Sequence, residues 1–339
     1  MHTQEICFGS KFTLMKLHIV CCLLFFSFIA KSQPVKVHGQ LHVEGTQLKD
    51  EKNKDVVLRG MSFGWHNWWP QFYNADAVKW LAKDWNCSVL RAAMGVEPRD
   101  GYLDKPEWSK QKIEAVVDAA IKQGIYVIID WHSHHIKTEE AKAFFTEMAN
   151  KYGKYPNIIY EIYNEPEYDT WAQVKEYSIA VVSAIRAIDK NNIILVGSPH
   201  WDQDVDVAAA DPITGFSNIM YSLHYYAATH KQDLRDKADA ALKKGLPLFI
   251  SESAGMEASG DGKINKEEWQ KWINWSEQRK ISWINWSVAD KNESCSVLKS
   301  GAPATGNWQL NDLKESGIMA RDYLRELNKK KILNLINTN

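Results

Sequence analysis

The chain has 339 residues, 45% of them hydrophobic, with 41 Lys and Arg against 42 Asp and Glu. That length suits one large α/β domain or two ordinary ones, and the balanced charge excludes the basic signature of a nucleic-acid or anionic-membrane partner. The anomaly is 15 Trp. Several of these stand near Gly, Asn and strand ends rather than on periodic helix faces, which suits a cleft rim.

The N-terminus reads as a secretory leader over 1–32. Lys11 and Lys16 precede an apolar run, residues 17–30, that is too short to cross a bilayer comfortably. Ala30-Lys31-Ser32 then offers small residues where a signal peptidase cuts, ahead of Gln33. The mature protein is therefore expected to be secreted, with no membrane attachment after cleavage. Of five Cys, Cys7, Cys21 and Cys22 fall in the leader. A secreted context permits a bridge between Cys87 and Cys295. However, Cys87 precedes a strand and Cys295 follows one, so the two are expected at opposite ends of the domain and unpaired.

Residues 35–48 alternate loosely around Gly39 and Gly45 and predict a small hairpin closing one end of the domain. Beyond it, apolar runs predict strands at 56–62, 88–93, 126–130, 157–163, 193–197, 219–224, 246–252 and 281–287. Helical patterns fall between them at 76–85, 106–123, 138–152, 170–188, 204–210, 231–244 and 266–279, with a last one at 314–327. Gly124 and Gly245 mark helix C-termini, and Thr138 followed by Glu139 and Glu140 reads as an N-terminus. Strands alternating with helices imply a parallel sheet, and eight such units close as a (β/α)8 TIM barrel. The expectation is a single catalytic domain over 33–328 and a tail over 329–339. An open doubly wound sheet is the alternative, but no GxGxxG follows a strand.

Two strands finish on a glutamate. Residues 159–166, IYEIYNEP, place Asn164 and Glu165 just before Pro166, and residues 249–255, FISESAG, carry Glu252. Two carboxylates facing one cleft are what cleavage of a glycosidic bond requires. In a barrel, the carboxyl ends of the strands share one site. Those ends supply Arg91, His132 with His134 and His135 beyond it, His224, Tyr226 and Trp286, followed by Lys291 and Glu293. His132-Ser133-His134-His135 has a rival reading as a metal site. No HExxH or suitably spaced carboxylate accompanies it, so no metal or other cofactor is assigned.

In order, RGMSFGW, YNAD, IDWHSH, YEIYNEP, LHYYA, FISESAG and INWSVADKNES resemble the blocks of glycoside hydrolase family 5, in particular its bacterial-type endoglucanases. The resemblance spans about 35–327. It implies Glu165 as general acid/base and Glu252 as nucleophile, held ionised and aimed by Arg91 and Tyr226. Asn164 would hold the sugar 2-hydroxyl, His224 would tune the Glu165 proton, and His132 would bond a hydroxyl near the cleaved bond. Trp286 would be the platform under the attacked sugar, Lys291 and Glu293 would bond the next sugars, and Trp68, in preference to Trp69, would stack one of them. Some relatives carry a histidine directly after the first barrel strand. Gly64 stands about there, and that role is not transferred to His66. Ser253-Ala254-Gly255 also departs from the aromatic-Gly pattern of many relatives.

The implied function is a secreted, monomeric, retaining endo-β-1,4-glucanase acting on a β-glucan polysaccharide or oligosaccharide. β-Mannan and mixed-linkage glucan are the rival substrates. A non-catalytic sugar-binding barrel is the rival class, against which both glutamates argue. Short loops after the strands predict an open cleft and internal attack, and the lack of a linker to a binding module predicts poor action on crystalline cellulose.

Overall fold

Residues 33–336 are described by the structure, a computed structural model. The predicted leader, 1–32, and residues 337–339 lie outside them. A helix not foreseen from sequence, α1 (Pro34–His38), begins on a proline at its first position, where the missing N–H costs nothing. The predicted hairpin follows as β1 (His42–Glu44) and β2 (Gln47–Lys49), with Gly45 at a left-handed φ of 59° in its turn.

The alternating units are then β3 (Arg59–Phe63), α2 (Ala75–Lys83), β4 (Val89–Gly95), α3 (Pro106–Gln123), β5 (Tyr126–His132), α4 (Thr138–Tyr152), β6 (Ile158–Glu161) and α5 (Trp171–Ile188). They continue as β7 (Ile193–Val196), the short turn α6 (Pro199–Asp202), α7 (Val205–Ala210), β8 (Ile219–Tyr226), α8 (Gln232–Lys243), β9 (Leu248–Ala254), α9 (Lys266–Arg279), β10 (Trp283–Val288) and α10 (Glu315–Ile336). Strands β3 to β10 close a parallel barrel in sequence order, with β10 paired to both β9 and β3.

Most boundaries follow from local chemistry. Gly124 ends α3 at a left-handed φ of 68°, and Gly245, just past α8, stands at 90°. Thr170 caps α5 with a reciprocal Gln173 contact. Thr138 is not a cap: Lys137 holds that position, and only the acidic first turn of α4 is as expected. The last helix runs past 328, the predicted domain end, to Ile336. Cys87 and Cys295 are buried and no disulfide joins them, as expected. No helix among the described residues is long and apolar enough to cross a membrane.

The barrel strands are buried on both faces, and alternate residues point inward. A lower interior layer is apolar, built from Val89, Ile128, Ile159, Met220 and Phe249 among others, and the hairpin's Leu48 seals it from below with Leu41. Asn218 Oδ1 accepts from Val43 N–H at 3.0 Å and Gly39 O from Tyr126 at 2.8 Å, which ties that plug to the strands. Two residues further along each strand, the interior turns polar: Arg91, Asp130, Glu161, Ser222 and Ser251, all fully buried. The register sets Asp130 level with Glu161, and His224 level with Glu252. The site is therefore a polar layer on an apolar one, at the carboxyl ends of the strands.

The closeness of β3 to β4 depends on Gly60, where a Cβ would fall 1.7 Å from Val89 O. Gly60→Ala must spread the two strands, and its urea midpoint should correspond to a loss of about 3 kcal/mol. A wild-type midpoint would contradict this packing.

Candidate active site

Arg91 organises the site floor. A cation with no exposure to water needs partners, and this one has three carboxylates, an amide oxygen and, at 3.5 Å, the Ser62 hydroxyl. Its Nε donates to Glu161 Oε2 at 2.6 Å and its Nη1 to Glu252 Oε2 at 3.0 Å. Its Nη2 donates to Asn164 Oδ1 at 2.7 Å and stands 3.0 Å from Asp130 Oδ2. Burial disfavours the guanidinium charge, and the three carboxylates more than restore it.

One cation cannot neutralise three carboxylates equally. Burial alone would push Glu161 up, but the Arg91 charge and a contact with His224 bring it down to about 2. For Asp130, burial outweighs the Arg91 charge and the carboxyl is pushed up. Glu252 is also pushed up, by burial and then by the Glu165 charge. Arg91 and Tyr226, whose hydroxyl donates to Glu252 Oε1 at 2.7 Å, both favour its ionised form as the sequence suggests. Burial and the Glu165 charge outweigh them.

Glu165 lies beyond the last ladder pair of β6, which ends at Glu161 rather than at the predicted 163. Backbone bonds continue past that point, from Asn164 N to Trp131 O at 3.1 Å and from Glu165 N to Ser133 O at 3.2 Å, and they hold the turn in place. His224 Nδ1 meets Glu165 Oε1 at 2.9 Å, and His134 Nδ1 stands 3.7 Å from Oε2. Burial pushes the Glu165 carboxyl up, but the His224 contact reverses this and leaves it below its ordinary value. A carboxylate oxygen of Glu165, one of Glu252 and a ring nitrogen of His224 lie within 4.8 Å of one another.

The cleft extends to both sides of this pair. A lobe of about 180 Å3 is lined by Trp65, Trp68, Trp69, His132, Trp286, Lys291 and Glu293, together with both glutamates. The His132 ring is stacked on Trp286 at 5.1 Å, and its Nδ1 is 2.7 Å from Asp130 Oδ2. Burial and the Arg91 charge keep this ring neutral. Trp68 is 50% exposed and packs on Trp65 at 4.8 Å, and Lys291 Nζ pairs with Glu293 Oε2 at 2.5 Å. Of the residues read from the strand ends, all but His135 gather around the two glutamates; His135 instead bonds Ser133 Oγ through its backbone. His66, left unassigned, faces elsewhere: Nδ1 accepts from Gly95 N at 3.0 Å and Nε2 meets Ser109 Oγ at 2.8 Å. At Gly255 a Cβ would fall 2.3 Å from the Trp269 ring, so the ring packs where only glycine leaves room.

A second lobe, about 470 Å3, is lined by Trp201, Gln203, His230 and Ala258 besides Glu165, His224, Tyr226 and Glu252. None of the first four was singled out from sequence, although Trp201 follows a strand end as the other aromatics do. Asp130, Glu161 and Asp202 were also missed. Each of the first two is a lone acid inside an apolar strand, a pattern that by itself demands a buried partner.

Removing the hub would leave buried carboxylates unpaired. Arg91→Met should cost about 3–5 kcal/mol near pH 7. In the wild type, Glu161 is depressed, so its contribution is present above the ordinary carboxylate pKa and is lost as pH falls toward 2. The variant's deficit should therefore shrink between pH 7 and pH 4 in urea titrations. An equal deficit at both pH values would contradict the charge assignment.

The family model for cellulase, glycosyl hydrolase family 5, matches residues 49–292. An endoglucanase of Clostridium saccharobutylicum is 44% identical over 302 residues, 87% of this chain and 67% of that protein. Endoglucanase Z of Dickeya dadantii is 46% identical, over 79% of this chain and 62% of that protein, so this chain spans about two thirds of such relatives. A solved structure from Cytophaga hutchinsonii is 47% identical, with a TM-score of 0.87 over 89% of this chain and 100% of that one. The catalytic domain of Thermobifida fusca endoglucanase Cel5A is 33% identical, with a TM-score of 0.83 over 87% of this chain and 100% of that domain. A variant of that same domain, solved in complex with cellotetraose, gives a TM-score of 0.82 at 32% identity over 87% of this chain and 100% of that one. With paired glutamates, one in the turn after β6 and one near the end of β9, and a family match over most of its length, this chain belongs to the cellulase family, glycosyl hydrolase family 5.

Proposed function

We propose that the chain is a secreted, monomeric endo-β-1,4-glucanase that hydrolyses β-glucan with retention of configuration. The observation that carries this reading is the approach of Glu165 and Glu252 to within 4.8 Å. That spacing suits a nucleophile touching the sugar and leaves no room for a water on the far side, as inversion would need. The endoglucanase names of the relatives and the cellotetraose complex of one neighbour support the substrate class.

In the first step, Glu252 attacks the anomeric carbon and the bond to the leaving oxygen breaks. That oxygen takes a proton from Glu165, and a glycosyl-enzyme ester remains. In the second, Glu165 takes a proton from water, whose oxygen displaces Glu252 at the same carbon. Arg91 and Tyr226 each hold one oxygen of Glu252 and fix its approach. Asn164 is turned by Arg91, which occupies its Oδ1, and Nδ2, without a protein partner among the described residues, serves the sugar 2-hydroxyl. His132 offers its second nitrogen to a neighbouring hydroxyl. Trp286 lies beneath the attacked sugar, and Trp68, Lys291 and Glu293 hold the sugars beyond it. A cleft open on both sides of the glutamates lets a chain enter along its length, which favours internal cleavage.

NMR of early products from a cello-oligosaccharide should show the β-anomer first, and initial α-anomer would exclude this mechanism. Glu252→Gly should lose at least about 10^4-fold in kcat and recover with azide, giving the α-glycosyl azide. On carboxymethylcellulose, viscosity should fall well before reducing ends accumulate. Stepwise release of cellobiose at nearly constant viscosity would rule out internal attack.

A further inference from the structure

Behind the His224 ring stands a buried carboxylate that the two steps above do not use. His200, Trp201 and Asp202 in α6 take φ of 53°, 54° and 61° in succession, the left-handed region that side chains other than Gly, Asn and Asp rarely adopt. This turn leaves Trp201 in the larger lobe and Asp202 fully buried. Gly197 makes room for it, since a Cβ there would lie 3.0 Å from Asp202 Oδ1 and 2.9 Å from Pro166 Cδ. Oδ1 accepts from Ser198 N–H at 2.6 Å. Oδ2 has no hydrogen-bond partner among the described residues and lies 3.4 Å from His224 Nε2.

The hydroxyls around the ring set the direction of its hydrogen bonds. Ser222 Oγ donates to Glu161 Oε1 at 3.4 Å, and Ser251 Oγ donates to Ser222 Oγ at 3.1 Å. Ser251 has then used its hydrogen, so it accepts from His224 Nε2 at 2.9 Å, which must carry one. Nδ1 faces a carboxylate oxygen of Glu165, so a second proton lies in that contact. An ionised Asp202 behind Nε2 would favour placing it on the ring.

We propose that Asp202 is a positioning residue of the acid/base pair: its buried carboxylate keeps the His224 ring doubly protonated and aimed at Glu165 to a higher pH than the pair would otherwise sustain. This rests on the reading of Glu165 as the acid. The resting proton is on Nδ1. It crosses to Glu165 as the leaving oxygen gains charge, and Glu165 yields a proton to that oxygen while the ring ends neutral. In the second step the water's proton returns through Glu165 to Nδ1.

The titratable groups facing the ring are Glu161 from β6, Glu165 from the turn after it, Asp202 from α6 and Glu252 from β9. Arg91, His132, His134 and His230 stand in the same network. Burial disfavours the imidazolium, and of the effects opposing it the Asp202 charge is the largest. Burial also pushes the Asp202 carboxyl up, against the His224 charge and the Ser198 N–H.

Asp202→Asn keeps the shape and removes the charge. Losing a negative charge makes the pair easier to deprotonate, so the alkaline limb of kcat/KM on a chromogenic cello-oligoside should move to lower pH, by about one unit. KM on the acid side of the limb should stay within about twofold, since Asp202 touches no sugar. An unmoved limb, with or without a uniform fall in kcat, would overturn the proposal. Nitrogen-15 NMR of the histidines in the wild-type protein decides the same point without the variant. Both ring nitrogens of His224, assigned by their loss in His224→Asn, should be protonated at pH 7, and a neutral ring would overturn the proposal. That spectrum needs no turnover. Failure of the glucanase reading would instead appear as an absence of product from every β-glucan.

Discussion

Everything at the site depends on keeping one guanidinium charged inside a barrel. Arg91 has no contact with water, and its charge persists only because Asp130, Glu161 and Glu252 surround it. The dependence is mutual, because none of those carboxylates could remain buried beside apolar strands without a cation. This shared charge fixes the geometry of the cleft floor. It orients the Asn164 amide, holds one oxygen of Glu252 and brings β4, β5, β6 and β9 to a common point. It also limits what each partner receives. Glu161 takes the shortest contact and is the firmly ionised member, while Asp130 and Glu252 are pushed the other way.

The layering beneath makes this arrangement affordable in structural terms. An apolar interior layer, sealed by the hairpin, occupies the lower barrel, and the polar layer lies one inward step above it. Polar groups in the second layer meet one another across strands because the register sets them level. Hydrogen bonds run from His224 through Ser251 and Ser222 to Glu161, so the Glu165–His224 pair and the Arg91 hub form one network. In such a network protons belong to the set rather than to single residues. Around this rigid floor the rim is aromatic: Trp65, Trp68 and Trp69 on one side of the glutamates and Trp201 on the other.

Much of this was legible along the chain. Apolar runs bounded by turn residues located all eight barrel strands, because strands buried on both faces must be apolar throughout. Strand ends located Arg91, His132, Glu165, His224, Tyr226, Glu252 and Trp286, because parallel strands expose their carboxyl ends on one face. Local details were less secure. Thr138 looked like a cap and is not one, α1 was missed, and the end of β6 fell short of Asn164. Those features depend on a residue or two of backbone, which neighbouring segments decide.

Sequence by itself determined the order of the strands, the barrel, and which side chains reach its open face, since these follow from a two-residue period and from chain direction. Only the tertiary structure decided how those side chains share charge. Glu252 is raised rather than lowered because the closed barrel buries it beside Glu165, and the contacts with Arg91 and Tyr226 do not offset that. Asp202 reaches His224 from the turn after a different strand, through three successive left-handed residues that no local pattern announces. Charge balance in a buried site depends on distances between segments far apart in the chain, and those distances exist only once the barrel has closed.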